Sequence, residues 1–206
     1  FTSKKYLINN SYFLKNYKPS KSLNLIYLRN DIKKRLKKIK NYNINGSTVF
    51  YMKCRNASVK RIDLFKKIKV FIEKNYVDIE FILENENRVL SSKQNLLKPQ
   101  IKDYLKNKNV IFLMLSDTEG MPNTVSEAIS EDMLVISRNI GDVKEVLPEE
   151  NIIPENFKNF ILVIENLLYL NKDEWNRRIK KQRSLLSKYI ENSNNDFNKL
   201  VKIFFE

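Results

Sequence analysis

Two glutamates, Glu119 and Glu127, stand eight positions apart in NVIFLMLSDTEGMPNTVSE, residues 109–127, and two cations, Arg55 and Lys60, stand five apart further upstream. Carboxylates so placed can accept hydrogen bonds from sugar hydroxyls, and cations can take the charge of a phosphate. His is absent from the 206 residues, so imidazole triads and imidazole-ligated zinc sites are excluded and carboxylates, Lys, Arg, Tyr and backbone donors remain for any chemistry. The single cysteine, Cys54, permits no internal disulfide and suits a reducing compartment.

The elements that must position these residues are legible around them. Val110 to Leu115 is a continuous apolar run, the pattern of a parallel strand covered on both faces. Ser116, Asp117 and Thr118 end it. Gly120 allows close approach of backbone to a ligand, and Pro122 reads as the first residue of a helix, where its missing N–H costs nothing. Such a helix start attracts anions through free N–H groups and the macrodipole, and ligands of open α/β sheets gather at the carboxyl ends of strands. Val125, Ala128 and Ile129 form an apolar stripe, with Asn123 and Glu127 on the other face. The same residues can also be read as an ordinary acidic helix start and a solvated helix face.

Arg55 falls just past an expected strand, Thr48 to Met52. Ser58 can cap a helix running to about Asn75, with Ile62, Phe65, Ile68 and Ile72 at helical spacing. Lys60 and Arg61 then fall in its first turn, where cations oppose the dipole by roughly 0.3 to 1 kcal/mol each and an anion would offset that cost. A helix beginning later, near Asp63, would leave both cations on a loop. Further strands are expected at Val77 to Leu83 and Leu134 to Ser137, a helix over 91–107, and a largely helical tail from Asp173 to Glu206 with Trp175, Ile179, Leu186 and Ile190 on one side and Arg177, Arg178, Lys180, Lys181 and Arg183 on others. Alternating strands and helices predict a right-handed parallel sheet, the α/β class.

Three ordered segments resemble one family. EGMPNTVSEA is similar to the EGFPNVLLEA-type signature of family-4 (group 1) retaining glycosyltransferases. LVISRNIGDVKEVLPEENIIP, residues 134–154, resembles that family's PVVATDVGGIPEVI strand, loop and short helix with the apolar strand after it. VFYMKCRNASVKRIDLF, residues 49–65, resembles its first strand and phosphate loop, VGRLVPEKGVDLL, and sets Arg55 and Lys60 on the family's basic pair. The resemblance spans about residues 48–154 and implies a Rossmann-like parallel sheet flanked by helices, the C-terminal, donor-binding half of a two-Rossmann-domain enzyme.

On that resemblance Arg55 and Lys60 hold the donor diphosphate and neutralise it as it leaves, so that no metal or other cofactor is needed. Glu119 approaches the donor sugar, which makes Arg55, Lys60 and Glu119 the catalytic set. Gly120, Met121, Pro122, Asn123 and Thr124 bind sugar and phosphate, with backbone donors contributing, and Glu127 takes the ribose hydroxyls. The implied substrates are a UDP- or GDP-linked sugar and a glycan or lipid-linked acceptor; the implied remaining partner is an N-terminal acceptor domain preceding this segment. The sequence departs from the pattern at Glu84 to Asn87, where a glycine-rich turn is usual, at Arg61, where the lysine is followed by glycine, and at Glu131 and Asp132, where Cys-Gly is common.

The organisation expected is an interdomain segment and lead-in helix at 1–45, a nucleotide-sugar-binding domain at 46–172 and a C-terminal helical tail at 173–206. A start at Phe1 reads as a piece of a longer protein. Lys and Arg number 38 and Asp and Glu 24, a formal charge of +14 that suits phosphorylated ligands, nucleic acid or an anionic membrane surface, although the abundance of Lys, Asn and Ile also reflects compositional bias. No segment has a signal-peptide pattern or the roughly twenty apolar residues that span a bilayer, so a cytoplasmic protein is expected, with contact at the inner face of the membrane as an option. A basic nucleic-acid-binding module and a catalytically silent glycosyltransferase homologue are the alternatives; dispersed cations and the absence of RNA-binding signatures argue against nucleic acid as the partner.

Overall fold

A computed structural model describes residues 46–86, 99–154 and 156–205. The expected lead-in segment at 1–45 and the first part of the expected 91–107 helix lie outside the described residues. The strands are β1 (Thr48–Arg55), β2 (Ile79–Glu86), β3 (Asn109–Met114), β4 (Leu134–Arg138) and β5 (Ile152–Ile153). The helices are α1 (Ile62–Asn75), α2 (Pro99–Tyr104), α3 (Asn123–Ser130), α4 (Phe157–Leu168) and α5 (Lys172–Phe205). All strand pairings are parallel, in the order β2-β1-β3-β4-β5. This is the expected α/β Rossmann-like sheet.

Both faces of the sheet are covered at β3, which explains its unbroken apolar run, buried at all six positions. Alternate residues of β1 point to opposite faces. Phe50 and Met52 pack with Leu64, Phe65, Ile68 and Ile72 of α1, Phe160 and Ile164 of α4, and Trp175 and Ile179 of α5. Val49 and Tyr51 pack with Val125, Ala128 and Ile129 of α3 and with Leu186, Tyr189 and Ile190 of α5. The long helix α5 therefore serves both layers. Where it crosses, β5 is too short to cover β4, and two buried amides complete the ladder instead: Gln182 accepts from the Val135 N–H at 3.2 Å and donates to the Met133 carbonyl at 2.5 Å, while Asn151 donates to the Val135 carbonyl at 3.0 Å.

Several boundaries differ from expectation, each for a physical reason. Ser58 does not cap α1; Ser58–Lys60 is a separate 3-10 turn, and Arg61, at φ 54°, turns the chain before the helix begins at Ile62. The N–H of Asp117 bonds the Val59 carbonyl at 2.8 Å, drawing that turn onto the loop after β3 and off the helix axis. Lys60 and Arg61 are thus on a loop, not in a first turn. β1 runs on to include Arg55, and β2 starts after Asp78, itself at φ 61°, and continues through Glu86. No turn forms at Glu84, because Glu84 pairs across the ladder with buried Lys53 at 3.4 Å and accepts from the Tyr51 hydroxyl at 2.8 Å. Pro122 sits one position earlier than expected, as the extended residue before α3. Arg183, expected on the solvated side of α5, is buried and paired with Asp132.

Among the described residues no helix is long and apolar enough to cross a membrane.

Candidate functional site

The strand order places a crevice where the connections diverge. From β1 the chain turns outward to β2, and from β3 it turns the other way to β4, so the switch point lies above the carboxyl ends of β1 and β3. The segments that follow the two strands meet there, the Asp117 N–H on the Val59 carbonyl at 2.8 Å.

Charge is gathered there from segments far apart in sequence. Lys60 pairs with Glu119 across 59 positions, with only 15% and 20% of the two side chains exposed. Arg61 places its fork on Asp63 at 3.0 and 3.2 Å and donates to Asp117 at 3.1 Å. Arg138, at the end of β4, donates to the same Asp117 carboxylate and to the Leu115 and Ser116 carbonyls at 3.4 Å. Asp117 is held below the usual carboxylate range by Arg138 first and by Arg61 after it. Next to this cluster Cys54 is half-buried, and burial pushes its thiol up against the opposing pull of Lys60.

The start of α3 supplies donors. Among the described residues no acceptor takes the N–H of Met121, Asn123 or Thr124, and no side chain caps the helix. Met121 has its side chain in the core, so only its backbone faces outward chemistry; Thr124 contacts the Met114 sulfur at 3.9 Å. Asn123 is exposed and Glu127 half-buried one turn further along, on the face opposite Val125, Ala128 and Ile129. Gly120 has its carbonyl covered by a second loop: the Asp142 N–H donates to it at 3.2 Å, and a Cβ on Gly141, at φ +49°, would lie 1.6 Å from the same oxygen. A close approach of backbone to backbone, which sequence reading did not single out, is thus made by Gly141.

Lys60, Glu119 and the Gly120–Thr124 run are brought together, while Arg55 is exposed at the last position of β1 and Glu127 lies down α3. The residues that sequence reading left out are Asp117, as a bridge between two guanidiniums, and Arg138, Asp142 and Tyr189. A signal existed for the first two, since Asp117 lies three positions past β3 and Arg138 ends β4. None existed for Tyr189, 47 positions from the Asp142 carboxylate that it donates to. Lys60, Arg61 and Arg138, paired with Glu119, Asp63 and Asp117, and a helix start with free donors are groups of the kind that receive an anion.

Fold and site define an open, doubly wound α/β domain whose paired charges gather at the switch between β1 and β3. No family model matches the sequence, and no curated protein does. Solved structures do share the fold. OtsA without ligand aligns over 85% of this chain and 49% of its own, with a TM-score of 0.58 and 9% identity. A mutant of S. aureus TarM, solved with fondaparinux, alpha-GlcNAc-glycerol and UDP, aligns over 95% of this chain and 46% of its own, with a TM-score of 0.54 and 17% identity. The C-terminal domain of LpcC from Francisella tularensis, a glycosyl transferase group 1 family protein, aligns over 79% of this chain and 94% of its own, with a TM-score of 0.50 and 13% identity. The chain thus spans about half the length of OtsA and TarM.

Proposed function

We propose that this chain is the donor-binding domain of a retaining, metal-independent glycosyltransferase of the family-4 type, taking a UDP- or GDP-linked sugar. The observation that carries the reading is the meeting of Lys60 and Glu119, from opposite sides of the β1/β3 crevice, beside the free donors of α3. TarM, which shares the fold, was solved with UDP, and the LpcC domain covers the same half of a group 1 glycosyl transferase.

In this reading Arg55 and Lys60 hold the diphosphate, and the N–H groups of Met121, Asn123 and Thr124 add donors around it. Positive charge fixed in advance is most valuable where negative charge grows, so these groups stabilise the departing nucleoside diphosphate in the transition state. Glu119 reaches the sugar and Glu127 the ribose hydroxyls. The acceptor, a glycan or a lipid-linked glycan, is presented by an N-terminal domain, and transfer requires that domain.

Calorimetric titration with UDP, GDP, ADP and a short DNA tests this. One diphosphate should bind selectively, and Arg55→Ala and Glu127→Ala should each lose it. DNA binding that falls steeply and linearly with log salt, with no nucleotide bound, would reject the domain assignment in favour of a nucleic-acid module.

A further inference from the structure

The loop that backs the candidate site is anchored from the far end of the chain. Tyr189 of α5 is buried, and its hydroxyl donates to the Asp142 carboxylate at 2.7 Å. The Asp142 N–H in turn donates to the Gly120 carbonyl at 3.2 Å, next to Glu119. Gly141 lies flat on this contact: any side chain there would overlap the Gly120 and Glu119 carbonyls, at 1.6 and 2.6 Å from an added Cβ. Two backbones touching without intervening side chains cannot slide independently. A displacement of residues 140–142 therefore moves Gly120 and Glu119.

We infer that Tyr189 is a positioning residue for the diphosphate-sugar site, acting through Asp142 on the Gly120 carbonyl and so on where Glu119 meets Lys60. The inference rests on the proposed function for its consequence in binding, but the relay itself is a property of the free protein. The helix contributes more than core at this point. Leu186 and Ile190 beside Tyr189 are apolar and packed, and would hold α5 in place without any hydroxyl. The phenol is the part of this helix segment that addresses the loop through a charge-assisted bond, which is stronger and more directional than apolar contact.

Tyr189→Phe removes the hydroxyl and keeps the ring. Amide hydrogen exchange should then quicken about tenfold or more at Asp142, whose N–H contacts Gly120, while amides of β3 and of α1 keep their wild-type rates. Ser193→Ala serves as the control: it deletes a different α5 hydroxyl bond, to the Tyr189 carbonyl at 2.9 Å, and should leave Asp142 exchange unmoved. In the binding arm, the diphosphate that wild type selects should bind Tyr189→Phe several-fold more weakly. Unchanged exchange at Asp142, or quickening spread evenly over the sheet, overturns the relay. Should Tyr189→Phe not fold, Asp142→Ala carries the same test, read at its own backbone amide. If wild type binds no nucleotide, the proposed function fails and the exchange arm alone decides the relay.

Discussion

Arg61 and Asp132 both sit in the left-handed region of backbone space, at φ 54° and 60°, and both lean on an ion pair, but one does so on the solvent-open rim after β1, the edge, and the other at a buried seam before β4. Both occupy positions where the signature that the sequence resembles carries glycine. At the edge, 32% of the Arg61 side chain is exposed, with Asp63 and Asp117 more so; at the inner seam, Asp132 and Arg183 expose 9% and 5%. A left-handed non-glycine costs about 1–2 kcal/mol in either place. What differs is the freedom to change partners. Charges in water can be handed from one partner to another at little cost, whereas a buried charge that loses its counter-charge must be desolvated alone. The seam is therefore committed to one arrangement, tying α5 to the turn before β4. The edge holds its cations in pairs that solvent can loosen.

The widest break in that comparison is Asp132→Asn. Asn keeps the shape and tolerates the left-handed backbone, so the substitution removes little but charge. Arg183 then loses the carboxylate it faces in a dry site. Urea unfolding should show a loss of about 3 kcal/mol, in the range found when one member of a buried pair is removed. A loss below about 1 kcal/mol, the surface value, would make the seam no different from the edge and end the distinction.

The two regions also differ in how much the sequence disclosed. The sheet was readable because strands buried on both faces leave long apolar runs, as in Val110 to Leu115, and helices with one buried face leave a stripe, as in Ile68 and Ile72. The loop carrying Glu119 was readable because strand, turn and helix start are all local signals. Lys60 was expected in a first helical turn, with a loop as the alternative, and the structure takes the alternative, since the bond from the Asp117 N–H to the Val59 carbonyl joins segments that only the fold brings together. The seam was not readable. Arg183 looks like its neighbours Lys180 and Lys181 in a basic helix, and nothing local tells that it alone turns inward to Asp132. Gln182 likewise gives no sign in sequence that it substitutes for a missing strand. Pairings across dozens of residues are set by topology, and patterning at helical or strand period carries no information about them.

At the edge, a pair of substitutions at one position separates strain from charge. Arg61→Gly removes the exposed pairs to Asp63 and Asp117, worth up to about 1 kcal/mol, and relieves a left-handed backbone costing about 1–2 kcal/mol. The two nearly cancel, so unfolding free energy should stay within about 1 kcal/mol of wild type. Arg61→Ala loses the same pairs and keeps the strain. It should be about 1 kcal/mol less stable than Arg61→Gly, and equal stabilities of the two variants would show that the left-handed conformation at Arg61 carries no cost.

The smallest effect tests the exposed limit of the comparison in a place with no backbone strain. Glu174, in the first turn of α5, accepts from Arg177 at 2.6 and 2.7 Å and from Arg178 at 2.8 Å. These guanidiniums lower its carboxyl from 4.5 to about 2, Arg177 more than Arg178. A carboxyl whose folded value lies below its unfolded one stabilises the fold above the unfolded value, and that contribution fades as pH falls through the folded one. The window is thus from 4.5 down to about 2. Because the pairs are largely in water, the whole contribution is about 0.5 kcal/mol. Wild type and Glu174→Gln should differ by that much near neutral pH, converge as pH drops toward about 2, and also converge in about 1 M salt. A difference that survives both acid and salt would assign the effect of Glu174 to helix packing, and would remove ion pairing as the common term on which the edge and the seam are being compared.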